Sequence, residues 1–311
     1  MPLKEKLNAG AIRALWKRFS RWTPARLWRL ARIVAPLYAL FATRERRVTR
    51  QNLRQAYPHL DESVRREMAA TSILHSVALA FEVGFVWRGD PQSVADAVKR
   101  VEGFELFEEA QRAGRGVIVL APHIGNWEMV NFWLSSRMTF TAMYDPPRIA
   151  ALDGVIRHGR ERMGATLVPT NARGVASLLK ALNRAEAIGI LPDQVPDWGS
   201  GKFADFFGHP AYTATLLPKL VARTNARVVV GTALRRCNQG GFTLHFIEAD
   251  PRVYDADEAV AALGVNKSVE RAIALAPTQY QWEYKRYKRT PGQLEEEPGW
   301  KQRRFYRMKK R

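Results

Sequence analysis

The chain has 311 residues, 46% of them hydrophobic, which suffices for a large core in one or two domains. Its formal net charge is +19, and its single cysteine, Cys237, excludes an intramolecular disulfide. The composition therefore excludes a disulfide-rich secreted scaffold and fits a reducing, cytosol-facing location.

The positive charge is concentrated at the two ends of the chain. Residues 1–50 hold 13 Lys+Arg and two acids, and residues 285–311 hold 11 Lys+Arg and three acids. The two differences, +11 and +8, account for the whole excess of +19. A neutral body with two basic ends indicates an anionic partner, which is a nucleic acid, an anionic lipid or an acidic protein.

The N-terminal region has the pattern of a basic amphipathic helix. Thr23 can cap a helix that begins at Pro24, and apolar residues then recur at helical spacing beside arginines. This composition is typical of a helix in a lipid headgroup layer, although a core helix with a solvated basic face fits equally well. The apolar run 33–42 contains Pro36 and is too short for a secure membrane span, so we expect an interfacial segment.

The remaining pattern predicts an α/β fold with a mostly parallel sheet. Helices are expected over 48–56 and 62–87, and short apolar runs predict buried strands at 117–121, 187–191 and 227–231. Helical patterns at 154–163, 175–183 and 213–224 lie between them, and 242–248 alternates like an edge or antiparallel strand. We therefore divide the chain into a helical membrane-associating region (1–100), an α/β domain (101–290) and a basic tail (291–311).

Two polar clusters follow predicted strands, and each cluster begins with a proline. One is PHIGNWE (122–128) and the other is PDQ (192–194). Because the carboxyl ends of parallel strands meet at one edge of a sheet, we expect both clusters to face one crevice.

His123 and Glu128 in the first cluster have the spacing of a general base and its carboxylate. The carboxylate can accept one ring N–H, which fixes the tautomer and stabilises the imidazolium formed when the ring takes a proton. The sequence has no Ser or Cys beside this histidine in a nucleophile elbow, so direct base catalysis is favoured. Gly125 permits close approach of substrate, and Asn126 with the N–H groups at the helix start can stabilise an oxyanion. Taken alone, the spacing fits a structural hydrogen bond as well.

Five ordered blocks resemble the late acyltransferases of lipid A biosynthesis, which are lauroyl and myristoyl transferases of the lysophospholipid-acyltransferase-like superfamily. APHIGNWE (121–128) is similar to their histidine–acid block, IGILPDQ (188–194) to their second block and FADFFGHPAYT (203–213) to their glycine/aromatic block. RV, NL and YP within 47–58 resemble their N-terminal signature, and QYQWEYKR (279–286) their C-terminal pattern. The blocks cover nearly the whole chain, and together they are more specific than any one of them.

The resemblance implies a glycerol-3-phosphate-acyltransferase-like α/β core and an acyl–acyl carrier protein donor. The acceptor would be a hydroxyl on an acyl chain of a lipid A precursor. His123 would deprotonate that hydroxyl, Glu128 would polarise His123, and no metal or cofactor would be required. The expected partners are acyl carrier protein, the lipid A precursor and an anionic membrane surface, without nucleic acid. The expected location is the cytoplasmic face of the inner membrane, peripheral or monotopic rather than single-pass.

Four polar residues are further candidates for substrate binding. Arg160 would bind a phosphate or the phosphopantetheine of the carrier, with a solvated helix charge as the equally weighted alternative. Asp193 and Gln194 would shape the site or bind the acceptor, although Asp193 also fits a strand-end cap. Arg173 would contact an anionic sugar, whereas a loop arginine is usually only exposed.

The aromatic pair Phe206 and Phe207 would line the pocket for the acyl chain, with plain core packing as the alternative.

Two other functions remain open at this point. One is a sibling acyltransferase with another glycolipid, lysolipid or amino-acid lipid as acceptor, which would share the histidine–acid block. The other is a basic nucleic-acid-binding protein, which the charge and the aromatic basic tail support, although no helix-turn-helix, finger or ribonucleoprotein motif is present.

Overall fold

A computed structural model of the chain describes residues 3–147, 149–291 and 306, without the side chains of residues 3–8. The N-terminal third is helical, as the sequence predicts. Its helices are α1 (Leu3–Phe19), α2 (Pro24–Phe41), α3 (Thr43–Ala56), α4 (Glu62–Arg88) and α5 (Pro91–Asp96).

Strands and helices alternate from residue 98 onward. In chain order they are β1 (Val98–Glu102), α6 (Glu105–Arg112), β2 (Val117–Leu120), α7 (Trp127–Ser135), β3 (Phe140–Tyr144), α8 (Asp153–Glu161), β4 (Thr166–Pro169), α9 (Ala172–Asn183) and β5 (Ala187–Ile190). The chain continues with β6 (Gly201–Phe206), β7 (His209–Ala214), α10 (Leu216–Thr224), β8 (Arg227–Arg235), β9 (Phe242–Glu248) and α11 (Glu258–Leu275).

A seven-stranded sheet with the order β1-β9-β8-β2-β5-β3-β4 forms the centre of the α/β part. Neighbouring strands run parallel except for the antiparallel pair β8–β9, which confirms the predicted mostly parallel α/β fold. β9 is the strand predicted as edge or antiparallel; it is antiparallel to β8, while β1 takes the edge position. The finer assignment to a glycerol-3-phosphate-acyltransferase-like core stays a prediction.

The sheet buries both faces, as a parallel sheet with helices on each side must. Side chains of β2 alternate between the two cores, with Val117 and Val119 in one and Ile118 and Leu120 in the other. Helices α9, α10 and α11 contribute to the second core, and α4 and α7 to the first. Because β2 is central and buried on both faces, the loop that follows it is held on a rigid base.

The predicted start of α2 is confirmed. The hydroxyl of Thr23 accepts from the N–H of Arg26, Pro24 occupies the first turn, and the helix continues through Pro36 to Phe41. The predicted start of the helix at 213–224 is wrong, because Thr213 pairs with Lys202 in the β6–β7 hairpin and α10 begins only at Leu216.

Helix α4 is the one helix in the described part of the chain that has the length and hydropathy of a membrane span. However, 67% of its apolar window is buried inside the protein. It also carries Glu82 and His75 in its interior, so we interpret it as a core helix.

The predicted domain boundaries stay predictions. The first strand begins at Val98, close to the boundary at 100. The predicted basic tail lies outside the described residues except for Pro291 and Tyr306.

Candidate active site

His123 lies in the loop that connects β2 to α7, at the carboxyl edge of the sheet. The N–H of Ala121 donates to the carbonyl of Ile190, so the loops after β2 and β5 start side by side. The N–H of Gln281 donates to the carbonyl of His123, which ties the C-terminal segment to the same loop. The structure thus brings the two predicted polar clusters into one crevice.

Asp193, from the loop after β5, is the carboxylate that holds His123. Its Oδ1 lies 2.8 Å from His123 Nδ1, and its Oδ2 accepts from the backbone N–H of His123 at 2.9 Å. The spacing in the sequence predicts Glu128 in this role, and that prediction is wrong, because the Glu128 carboxylate binds Arg160 and Trp87. The reason is topological, because β2 and β5 are neighbours and their loops meet, whereas Glu128 lies on α7 and faces another partner.

The electrostatics of Asp193 agree with this contact. Burial alone would raise the pKa of Asp193, but attraction to His123 when its ring is protonated and the two hydrogen bonds from His123 outweigh burial and lower the pKa. The carboxylate is therefore ionised at neutral pH. Tyr280 lies beside it, and burial together with the Asp193 carboxylate raises the pKa of the Tyr280 hydroxyl well above its ordinary value.

An ionised carboxylate can only accept, so Nδ1 of His123 must carry the proton. Nε2 is then the basic nitrogen, and it lies 3.0 Å from the side-chain nitrogen of Gln194. His123 itself is only 7% exposed, whereas Gln194 is exposed. The exposed side chain of Gln194 therefore occupies the second ring nitrogen of His123 in this structure.

Glu128 is buried at the start of α7 and forms an ion pair with Arg160. Nε of Arg160 lies 3.0 Å from Oε2 of Glu128, and the Trp87 indole N–H donates to the same oxygen at 3.0 Å. The pKa of Arg160 is raised because attraction to Glu128 outweighs the burial that would lower it. The predicted phosphate-binding arginine is thus engaged with a carboxylate, and a role for either residue in substrate binding or catalysis stays a prediction.

Asn126 is fully buried, and its side chain donates to Glu82 at 3.1 Å. Arg235 pairs with the same carboxylate at 2.8 Å and donates to the carbonyl of Gly125 at 3.0 Å. This network of hydrogen bonds holds the loop that carries His123 in place. Asn126 therefore supports the loop in this structure, and its predicted role in stabilising an oxyanion stays a prediction.

Gly125 has a positive φ of 60°, and an added Cβ would lie 2.1 Å from the carbonyl oxygen of Ala233. The N–H of Gly125 donates to the carbonyl of Gln279, and the N–H of Asn126 to that of Ala233. Only glycine fits this close approach of two backbones. Gly125 therefore allows the loop to pack against the backbone at Ala233, whereas the sequence predicts that it allows close approach of substrate.

The structure does not bring Arg173, Phe206 and Phe207 to His123. Arg173 is exposed in the first turn of α9, after β4, and three strand spacings of about 5 Å separate β4 from β2. Phe206 and Phe207 lie at the β6–β7 turn and pack in a cluster with Trp282 and Tyr287. The plain-core alternative describes the aromatic pair better than the predicted acyl pocket.

An apolar cavity of about 50 Å³ lies between α7 and the ends of β3 and β5. Trp127 forms part of its wall and contacts the His123 ring, with ring centroids 4.6 Å apart. Glu128 and Arg160 form the polar part of the wall. Trp127 therefore contacts both the cavity and the His123 ring, while His123 itself is not part of the wall.

Sequence reasoning missed several residues of this site. Glu82 lies in the apolar second half of α4 and Arg235 ends the buried strand β8, so a charge within or at the end of a buried run was the available signal. Glu283 lies in the C-terminal block, where its Oε1 accepts from the Ser76 hydroxyl at 2.6 Å. Burial raises the pKa of Glu283, and its Oε2 has no hydrogen-bond partner within the part of the chain that the structure describes.

Comparisons with known proteins point to one family. The family model described as bacterial lipid A biosynthesis acyltransferase matches residues 14–289. The lipid A biosynthesis palmitoleoyltransferase of Escherichia coli K12 is 29% identical over 255 residues, which cover 81% of each chain. The lauroyltransferase of the same strain is 26% identical over 271 residues (85% of this chain, 86% of that protein), and its myristoyltransferase is 26% identical over 250 residues (78% and 76%).

Proposed function

This chain belongs to the bacterial lipid A biosynthesis acyltransferase family and is an acyltransferase, and from that premise we propose that it transfers a fatty-acyl group from acyl–acyl carrier protein to a hydroxyl of a lipid A precursor. The observation that carries the proposal is the His123–Asp193 pair at the carboxyl edge of the sheet, with the His123 ring in contact with Trp127 in the wall of an apolar cavity. A base next to an apolar slot is what the acylation of a lipid alcohol requires.

In the proposed reaction His123 acts as the general base. The acceptor hydroxyl displaces Gln194 and gives its proton to Nε2, while Asp193 stabilises the imidazolium that forms. The alkoxide attacks the thioester carbonyl, and the tetrahedral intermediate then expels the pantetheine thiolate. The imidazolium returns its proton to that thiolate, so the products are the ester and the free thiol.

The backbone supports one location for the developing oxyanion. The N–H groups of His123, Ile124, Gly125 and Asn126 are all engaged within the protein. The N–H groups of Trp127 and Glu128 are therefore the candidates left, since that of Met129 donates to the carbonyl of Asn126, and the helix dipole favours negative charge there.

We assign the start of the acyl chain to the cavity beside Trp127. The cavity volume of about 50 Å³ is far below the roughly 300–1,000 Å³ of ordinary ligand pockets, so an acyl chain must enlarge it. Leu191 forms part of the wall and is 39% exposed, and its displacement would open the cavity toward solvent. In this arrangement Glu128 contributes by holding Arg160 in the wall.

A reconstituted reaction tests the proposal. Purified protein is incubated with acyl–acyl carrier protein and a lipid A precursor in detergent micelles, and the mass of the lipid product is measured by mass spectrometry. We expect one added acyl group with the wild type and none with His123→Ala at equal concentration. Acylation of a lysophospholipid but not of the precursor would favour the sibling acyltransferase. Full activity of His123→Ala would contradict the mechanism.

A further inference from the structure

The cavity beside Trp127 exists because small residues line the sheet at its base. Ala142 of β3 lies opposite Gly189 of β5 in the parallel register, and both residues line the cavity. Ala121, which follows β2, is a third small residue of the same wall. Larger side chains at these positions would fill the space between the sheet and α7. The volume of the cavity is therefore determined by a few side chains around it.

Phe140 closes this cavity at the end away from the carboxyl edge of the sheet. It is buried and lies two residues before Ala142, so both side chains point to the same face of the sheet. The register pairs Phe140 with Ala187, three residues or about 10 Å before the end of β5 at Ile190. The ring belongs both to the cavity wall and to the first core. It therefore separates the cavity from the rest of that core.

Gly189 makes room for the ring of Phe140. A Cβ added at Gly189 would lie 2.7 Å from Cζ of Phe140 and 3.2 Å from its Cε1. The first of these distances is shorter than any normal contact between carbon atoms, so a larger residue would force the ring away from the sheet and toward α7. The position of the ring, and with it the depth of the cavity, thus depends on a glycine at this place.

The walls of the cavity leave one apolar direction for a hydrocarbon chain. Trp127 is the first residue of α7, and Val130, one turn farther along the helix, also lines the cavity. Glu128 and Arg160 form an ion pair at one side, where methylene groups would meet buried charges. A chain that enters beside Trp127 therefore runs along α7 toward Phe140.

We infer that Phe140, packed on Gly189, forms the end wall of the acyl site and determines the length of the fatty chain that the protein transfers. The inference rests on the proposed function and adds the residues that select the donor. A chain that is too long must displace a packed ring, and a chain that is too short leaves part of the site unfilled. One methylene more or less in an apolar pocket changes kcat/KM by about 10- to 200-fold, so one side chain suffices for selection.

Competition between donors of different chain length tests the inference. Purified protein receives an equimolar mixture of decanoyl, lauroyl, myristoyl, palmitoyl and stearoyl forms of acyl carrier protein with the lipid A precursor, and mass spectrometry measures each product. In Phe140→Leu the smaller side chain deepens the site. We expect the ratio of the next longer chain to the chain that the wild type prefers to rise about tenfold or more. Phe140→Ala should shift the ratio further in the same direction.

The matched control for Phe140 is Phe242→Leu. Phe242 is a buried phenylalanine of β9 in the same core, but it lies outside the cavity wall. This variant loosens the core to a similar extent and should keep the chain preference of the wild type. An equal shift in Phe242→Leu would overturn the inference, because the preference would then follow general core packing.

Gly189→Ala tests the inference in the opposite direction. The added methyl group pushes the Phe140 ring into the cavity, so the next shorter chain should gain over the preferred one. Gly231→Ala is the control, because its added Cβ would lie 2.9 Å from Cγ1 of Val119, outside the cavity wall. It should leave the preference unchanged.

The same assay separates this inference from the proposed function. Transfer from none of the donors by the wild type, or full transfer by His123→Ala, would refute the proposed function. Wild-type transfer that is lost in His123→Ala, with one and the same chain preference in Phe140→Leu, Phe140→Ala and Gly189→Ala, would refute the assignment of chain length to Phe140 alone.

Discussion

The hydrogen-bond partners of His123 decide which of its nitrogens can take a proton. Asp193 occupies Nδ1 with a carboxylate, and Gln194 contacts Nε2 with a neutral and exposed side chain. A buried carboxylate can stay in place through the reaction, whereas a surface glutamine can move aside. The base is therefore directed outward, toward the crevice.

Asp193→Asn should remove most of the activity while the imidazole ring of His123 is still present. The amide can present its NH₂ to Nδ1, which selects the wrong tautomer and no longer stabilises the imidazolium. We expect kcat to fall by about 10²- to 10⁴-fold, as in other histidine–carboxylate pairs. Steady-state kinetics of the purified variant check this, and a change of less than about threefold would show that Asp193 does not orient the base.

Glu128→Gln should act mainly on stability. It leaves Arg160 facing a neutral side chain in a site where the arginine is 20% exposed and the glutamate 3%. Breaking such a pair costs about 3 kcal/mol of unfolding free energy, because an uncompensated charge remains. Urea unfolding measures the loss.

The matched control for Glu128 is the double variant Glu128→Gln/Arg160→Gln, which removes both charges and should recover part of the stability. Normal stability of Glu128→Gln combined with lost activity would contradict a mainly structural role for Glu128. It would instead support the predicted role of Glu128 in orienting His123.

At the scale of elements, a short loop between β2 and α7 is held by many partners. Gln279, Ala233 and the Glu82–Arg235 pair all fix Gly125 or Asn126. The side chains of Arg235 and Glu82 are 3% and 2% exposed, so their opposite charges neutralise each other inside the protein. The loop is thus preorganised before any substrate binds.

Gly125→Ala should disrupt this loop, because its Cβ would overlap the Ala233 carbonyl at a positive φ. We expect a loss of about 3 kcal/mol or more in unfolding free energy and a larger loss of activity. Gly114→Ala is the control, since Gly114 has a similar φ of 64° with no heavy atom within 4 Å of the added Cβ, and it should cost only about 1 kcal/mol. Equal effects of the two variants would contradict the close-approach argument.

His75 joins α4 to α2, where its ring lies 5.0 Å from that of Trp28. Burial, with a smaller contribution from Arg235, lowers the pKa of His75 to about 3 from an ordinary value of 6.5. The unfolded chain therefore binds a proton below pH 6.5 that the folded chain does not bind. The stability from a neutral His75 is present above pH 6.5 and is lost as pH falls toward 3.

His75→Phe should remove this part of the pH dependence. Between pH 7 and pH 5 the wild type should lose about 2 kcal/mol more unfolding free energy than the variant. Urea unfolding at the two pH values measures the difference. His158→Phe, at an exposed position of α8, should keep the pH dependence of the wild type. Identical pH dependence in His75→Phe and wild type would show that His75 is not held neutral.

For the molecule as a whole, the sequence predicts the fold well where apolar residues form a clear run or alternate, and where a proline follows the strand. The runs at β2, β5 and β8 and the alternation at β9 fall within a few residues of the observed strands. The short, partly exposed strands β1, β3 and β4 carry no such signal and were missed. The hairpin β6–β7 was also missed, and the end of β7, Thr213 and Ala214, was assigned to the predicted helix at 213–224.

The site is predictable in its location and less so in its pairings. Parallel strands place His123 and Asp193 at one edge, and that follows from the pattern. Which carboxylate meets the ring depends on the order of strands in the sheet, which local spacing does not contain. Glu128 is near His123 in sequence, but Trp87 and Arg160, from two other helices, bind its carboxylate.

The proposed function requires that His123 deprotonates a lipid hydroxyl for acylation within lipid A biosynthesis. Mass spectrometry of lipid A tests it most directly, in cells that lack this protein and carry either the wild-type gene or His123→Ala. We predict that deletion removes one secondary acyl chain, that the wild type restores it and that His123→Ala, accumulated to the same level, does not. Restored acylation by His123→Ala, or lipid A unchanged by the deletion, would contradict the account.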